Sequence, residues 1–151
     1  MAQNKFHYAI TKQTAAEIII ERAHHERENM GLTTWSNSPD GRILKSDVVI
    51  AKNYLNEREI RRLERNVSSY FDYIEDLLED EVLLAMQDFA KTIDGFLSFR
   101  RFDILTHKGR VTKKDAEAHA HAEYDIFNKT QKINSDFEKQ LSLAANKPSA
   151  N

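Results

Sequence analysis

The sequence predicts an all-α fold, a bundle of four to five helices with one long structured loop at about residues 30–46. Three observations lead to this fold class. The 151-residue chain has four glycines and two prolines, too few for the many tight turns of a β-sandwich. Apolar residues recur every three to four positions over long stretches, which is the period of an α-helix. Two Ser/Thr/Asn-x-x-Glu patterns, Thr14 with Glu17 and Asn56 with Glu59, are typical of helix starts.

The first part of the chain is predicted to form short elements. Lys5–Ile10 alternates polar and apolar residues in part, which favours a short extended segment. The helix that begins after Thr14 is expected to run to about Asn29, with Gly31 just beyond its end. In the loop that follows, Ser36–Gly41 is a turn signal. The apolar residues expected to hold this loop on the core are Leu32, Trp35, Ile43 and Leu44.

The later part of the chain is predicted to form long helices. Ser46 is expected to cap a short helix through about Tyr54, and a long helix follows Asn56. A further helix is expected from about Leu84 to Arg100, with Gly95 allowing close packing, and the last helix from Thr112. The short connection between the first two long helices predicts an antiparallel pair. The apolar stripe of the first is Ile60, Leu63, Val67, Tyr70, Ile74 and Leu77, widened by Phe71 and Leu78.

Length and composition predict one helical domain at 1–143 and a disordered tail at 144–151. The absence of cysteine excludes disulfides and thiol nucleophiles. The sequence contains no apolar run of about 20 residues and no signal-peptide pattern, so no membrane contact and a cytoplasmic location are expected. A net charge of −2 limits nucleic-acid contact to a local patch.

A run of arginines lies on one flank of the first long helix, and two interpretations remain open for it. The arginines could contact phosphates, or they could pair internally, as Glu57 with Arg61 would at i, i+4. The acids at the other end of this helix oppose the helix dipole, which suggests that an antiparallel copy compensates them, with compensation by Lys91, Arg100 and Arg101 of the same chain as the alternative. We therefore predict a homo-oligomer. The arginines of this run are Arg58, Arg61, Arg62 and Arg65.

A second group of basic residues surrounds the start of the last helix. Few acids lie near it, so it is the better candidate for binding nucleic acid or a protein partner, with solvated lysines as the alternative. Its members are Arg100, Arg101, Lys108, Arg110, Lys113 and Lys114.

The loop combines an aromatic ring, hydroxyls and opposite charges, a set that could line a pocket. The alternative is structural, with the tryptophan anchoring the loop and the aspartate stabilising a helix start. No phosphate-binding loop and no nucleophile elbow can be written from the sequence, so we predict no catalytic residues. An enzyme using this loop with His107 or His121 is the alternative. The possible pocket residues are Thr33, Thr34, Trp35, Lys45 and Asp47.

The histidines give no clear metal-binding pattern. His24 and His25 are adjacent, so on a helix their side chains would diverge by about 100° and could not share one metal. His119 and His121 are two residues apart, a poor spacing for helical ligands. We predict no metal ligands and no cofactor, with a metal-binding regulator as a further alternative.

Eight segments together resemble the RhuM family, bacterial proteins named from a pathogenicity island, over about residues 3–137. The resemblance implies a virulence-linked or DNA-linked protein. It also implies that an N-terminal, DNA-associated region usually precedes this part. If that region reads DNA, the present chain is expected to be the assembly or effector domain. The resemblance brings no catalytic signature. The segments are Lys5–Ile10, Thr14–Ile19, Asn29–Trp35, Ile43–Val48, Ala51–Leu55, Tyr70–Glu75, Met86–Leu97 and Ile104–Thr112.

Overall fold

The structure, a computed structural model, describes residues 2–80 and 86–146. This part of the chain forms five α-helices and three short 3₁₀ turns without a β-strand, which confirms the predicted all-α class. The last helix is described to Asn146, and the rest of the predicted tail, 147–151, lies outside the described residues. The helices are α1 (Ala2–Thr11), α2 (Ala15–Arg22), α3 (Glu57–Glu79), α4 (Met86–Phe99) and α5 (Lys113–Asn146).

The extended segment predicted at Lys5–Ile10 is wrong, because these residues belong to α1. Phe6 and Ala9 are buried and Ile10 packs beside them, at the i, i+3, i+4 spacing of a helix face. This spacing outweighed the partial alternation that favoured a strand. Lys12, with φ +63°, ends the helix and donates its N–H to the Tyr8 carbonyl.

The helix α2 begins as predicted and ends early. Thr14 and Glu17 form the expected reciprocal capping box. The predicted end near Asn29 is wrong, because the Arg27 guanidinium donates to the Glu21 and Arg22 carbonyls and stops the helix at Arg22. The chain then folds back on itself through a 3₁₀ turn at Glu28–Gly31, in which three successive residues have positive φ.

The predicted loop is irregular and mostly anchored. Trp35 is 9% exposed and donates its indole N–H to the Gly41 carbonyl at 2.8 Å. Leu44 was expected on the core but is 41% exposed. The helix expected after Ser46 is instead two 3₁₀ turns, Asp47–Val49 and Ala51–Tyr54, and the Ser46 side chain caps neither.

The helix α1 lies against both α3 and α4. The ring of Tyr70 contacts Phe6 at 5.6 Å and Phe96 at 5.5 Å between centroids. Nearer the start of α3, Arg62 lies over Phe102, beyond the end of α4, so the contacts between α3 and α4 run in the predicted antiparallel direction. Gly95 was expected to permit close packing, but an added Cβ would meet nothing within 4 Å.

Part of the predicted stripe on α3 faces outward. Leu63 and Ile74 are buried, whereas Phe71 is 60% and Leu78 is 58% exposed. Asn66 is also buried although it is polar. The buried face is therefore narrower than the sequence pattern, and α3 keeps apolar side chains on its surface.

The helix α5 closes the core. Thr112 caps it, with its hydroxyl accepting from the Asp115 N–H at 3.1 Å. Ala116, Ala120 and Tyr124 are buried, and this face packs mainly on α2. The sequence also places apolar residues at 137 and 141 of this helix, and these lie outside the described side chains.

Candidate functional site

The outward face of α3 begins with unpaired arginines. Arg58, Arg61 and Arg65 are exposed, and within the described residues none of them forms an ion pair or a hydrogen bond. The internal pair expected between Glu57 and Arg61 is therefore not formed. Arg62 differs from the other three, since its guanidinium lies 5.4 Å from the centre of the Phe102 ring.

The same face ends with acids that have no ion-pair partner among the described residues. Asp72, Glu75, Asp76 and Glu79 are exposed, and over the described ranges no basic side chain pairs with them. The last turn of α3 contains no basic residue. Arg100, one of the residues expected to compensate these acids, lies over the Phe96 ring instead. The charge layout that opposes the helix dipole is thus left uncompensated in the described part of the chain.

The second basic group surrounds the connection from α4 to α5. Its six side chains are all exposed. Lys113 pairs with Glu117 at 3.9 Å. One wall of a groove between the start of α5 and the helices α1 and α3 is lined by Lys108, Arg110 and Lys113. The contact between Arg62 and Phe102 places the start of α3 close to this group. The structure therefore brings the two basic sets to neighbouring positions.

The loop residues proposed as a pocket are used to hold the loop. The buried Asp47 carboxylate accepts from the Ser36 N–H, the Ser36 hydroxyl and the Leu44 N–H. Although burial opposes its ionisation, these bonds hold the pKa of Asp47 below its ordinary value. The Thr33 hydroxyl donates to the Leu55 carbonyl. The Thr34 hydroxyl contacts that of Ser38, and Lys45 is exposed.

A small cavity of about 380 Å³ lies beside Trp35. Trp35 is the one predicted pocket residue that lines it, and neither His107 nor His121 does. His107 instead packs against Tyr8 of α1, with 6.3 Å between ring centres. The described residues therefore do not bring the loop set and a histidine together.

A groove of about 1310 Å³ separates α1 and α3 from the start of α5, and most of its wall is apolar. Two polar side chains in this wall, His7 and Tyr70, each have a buried atom without a hydrogen-bond partner in the described part, Nε2 and the hydroxyl. Burial lowers the pKa of His7 below its ordinary value, so its ring is neutral at pH 7. No sequence pattern indicated this groove, because its wall combines residues from several elements.

His24 and His25 come together with Glu123 of α5. The two histidines follow the end of α2, so their side chains do not diverge as they would on a helix. Their rings stack with centres 5.0 Å apart, and His25 Nδ1 lies 2.6 Å from a Glu123 carboxylate oxygen. Although burial pushes it upward, the pKa of Glu123 is held below its ordinary value by the His25 hydrogen bond and by both histidines' charge.

His25 and Glu123 lie 98 positions apart along the chain, which is why no local pattern predicted the three residues together. Their only sequence signal was the His-His pair itself, and its meaning depended on where α2 ends.

The chain is similar to proteins of a known family. A family model described as the virulence protein RhuM family matches residues 1–135, which confirms the resemblance. No curated protein and no solved structure matches the chain. Across the described residues, every helix is either too short or too polar to cross a bilayer.

Proposed function

The chain belongs to the virulence protein RhuM family, and we propose that its helical domain is a self-association module that pairs with a second copy through α3. The observation that carries the proposal is the outward face of α3. Among the described residues, the arginines in its first half and the acids in its second half have no ion-pair partner.

The spacing of these charges fits an antiparallel pair of α3 helices. Arg58, Arg65, Asp72 and Glu79 follow each other at intervals of seven residues, so they share one face of the helix. A two-fold axis passing between residues 68 and 69, both serines, places each arginine opposite an acid of the partner. The pairs in this register, each occurring twice, are Arg58 with Glu79, Arg61 with Asp76, and Arg65 with Asp72.

The apolar side chains left on the surface of α3 fit the same register. In this register Phe71 lies one residue, about 1.5 Å along the axis, from the level of the partner's Val67, and Leu78 lies equally near the level of the partner's Ile60. In an antiparallel pair each flank of a helix meets the same flank of its copy, so apolar meets apolar and charge meets charge. A parallel pair would set arginine against arginine.

Such a pair would be weak and sensitive to salt. An exposed ion pair contributes about 0.2–1 kcal/mol, so six of them contribute roughly 1–6 kcal/mol. Burial of Phe71 and Leu78 adds to this, at about 25 cal/mol per Å² of apolar surface. Salt screens the charged part alone.

Charge reversal tests the proposal by sedimentation velocity at micromolar concentration. We expect the wild type to dimerise at low salt and to dissociate as salt rises. Arg61→Glu with Arg65→Glu, and separately Asp72→Lys with Asp76→Lys, should each give monomers, because like charges then face each other across the axis. An equimolar mixture of the two variants should dimerise again.

The control is Lys45→Glu with Lys114→Glu, which changes the net charge by the same amount as the arginine reversals but outside α3, and should leave the dimer intact. A wild type that stays monomeric at every salt concentration contradicts the proposal. So does a dimer that survives both reversals.

The exposed basic group around the α4–α5 connection supports a second candidate function, contact with nucleic-acid phosphates. Anisotropy of labelled duplex DNA should then show affinity that falls with salt. Lys108→Ala with Lys114→Ala should reduce the slope of log affinity against log salt by about 2, one for each lost phosphate contact. Arg58→Ala with Arg65→Ala should leave that slope unchanged. Absence of binding at low salt rules the candidate out.

A further inference from the structure

We infer that His24, His25 and Glu123 form a binding site for a divalent transition metal of the zinc class. One nitrogen from each histidine and one oxygen of the glutamate lie within 4.8 Å of one another. Two imidazoles and one carboxylate are the ligand set of many zinc sites with an open coordination position.

The spacing of the ligand atoms is close to what a metal requires. Zinc holds nitrogen and oxygen ligands at about 2.0–2.2 Å, so tetrahedral ligand atoms lie about 3.3 Å apart. For a metal to bind, the 2.6 Å distance between His25 Nδ1 and the Glu123 carboxylate oxygen must increase. The largest distance among the three ligand atoms must decrease by up to about 1.5 Å. Both changes are small enough for rotation of the three side chains to supply them.

The backbone that carries the two histidines is held in place on both sides of the pair. The His24 N–H donates to the Met30 carbonyl, and the Arg27 N–H donates to the His24 carbonyl. On α5, one turn before Glu123, His119 Nε2 contacts the Ala23 carbonyl at 2.9 Å. The ligands are therefore supplied by two elements already fastened to each other next to the site.

The His24 ring is more loosely held than its backbone. The Glu26 N–H reaches His24 Nδ1 at 3.2 Å, at the long end of hydrogen-bond geometry, so a metal can replace this contact. All three side chains are half-buried, which leaves room for water at the fourth position of the metal. Nitrogen ligands favour zinc, nickel or copper over magnesium and calcium, which prefer oxygen.

A metal at this site would tie the turn after α2 to α5. It would thereby add a bond between two parts of the chain that close the core together. This proposal is independent of the self-association through α3, because the two sites share no residue.

Zinc titration of the tag-free, chelator-treated protein by calorimetry tests the site. We expect saturation at one zinc per chain, no competition from magnesium, and a higher melting temperature with zinc. Binding of cobalt in place of zinc should give the visible absorption of a protein-bound ion. His25→Ala and Glu123→Gln should each weaken zinc binding by about 10-fold or more and abolish the rise in melting temperature.

His121→Ala is the matched control, since it removes a half-buried histidine of α5 outside the site and should leave zinc affinity unchanged. Glu123→Gln keeps the size and hydrogen bonding of the side chain, so it carries the test even if His25→Ala fails to fold. Zinc binding unchanged in Glu123→Gln and His24→Ala overturns the inference, as does absence of saturable binding to the wild type.

Discussion

Replacement of Gly31 by alanine is expected to destabilise the protein by about 3 kcal/mol or more. Gly31 has φ +90°, a conformation that costs a residue with a side chain about 1–3 kcal/mol. An added Cβ would also lie 2.1 Å from the Arg22 carbonyl oxygen, so the backbone would have to move. Urea unfolding followed by far-UV circular dichroism measures the loss.

Gly95→Ala is the matched control. Its Cβ would meet nothing within 4 Å, and alanine favours a helix interior by up to about 1 kcal/mol. Gly95→Ala should therefore stabilise the protein or leave it unchanged. Equal destabilisation by the two substitutions would contradict the tight turn at Gly31.

Loss of the ion pair between Arg22 and Glu59 should destabilise the protein by about 2–4 kcal/mol, slightly less than for a fully buried pair. Two parallel hydrogen bonds of 2.7 and 2.9 Å join the side chains, which are 21% and 17% exposed. Arg22 also donates to the Tyr54 carbonyl. Arg22→Met removes both contacts and leaves the glutamate charge half-buried, and guanidinium unfolding measures the cost.

The exposed pair of Lys52 and Glu64, at 3.8 Å, provides the comparison. Lys52→Met should cost less than about 1 kcal/mol. If Arg22→Met lowers the free energy of unfolding by no more than Lys52→Met does, burial adds no stability to the pair of Arg22 and Glu59.

The same pair predicts a pH dependence. The hydrogen bond from Arg22 holds the pKa of Glu59 below its ordinary value, outweighing the effect of burial. A carboxyl group whose pKa is lower in the folded state stabilises that state above its unfolded pKa of about 4.3. This stabilisation is lost as the pH falls through the folded pKa. As the pH is lowered from about 5 to about 2, the free energy of unfolding of Arg22→Met should therefore fall less steeply than that of the wild type.

Helix starts and the long stripe of α3 were predictable because their causes are local. The capping boxes at Thr14 and Asn56 form as the sequence indicates. Each depends on two side chains three residues apart, which the sequence displays directly. The charge layout of α3 was visible in the same way, although the internal pairing of Glu57 with Arg61 was not formed.

The features that were missed depend on contacts between distant residues. The end of α2 is set by Arg27 reaching back to two carbonyls, and no helix-breaking residue marks it. Phe71 matches the apolar period of α3, yet it is 60% exposed in the described part of the chain. The cluster of His24, His25 and Glu123 needs both the early end of α2 and the docking of α5, so spacing alone could not reveal it.

The attachment of α5 to the loop also has a consequence for the order in which the chain can mature. Tyr124 and Gln131 both bond the Ile43 carbonyl, and Gln131 accepts from the Ile43 N–H, 88 positions earlier. At about 5–20 residues per second, synthesis of the intervening chain takes roughly 5–20 s. During this interval the nascent loop lacks its final hydrogen-bond partners. The first third of the polypeptide is therefore synthesised first, but it gains its contacts with α5 last. A ribosome that stalls before α5 leaves the apolar surface of α2 uncovered.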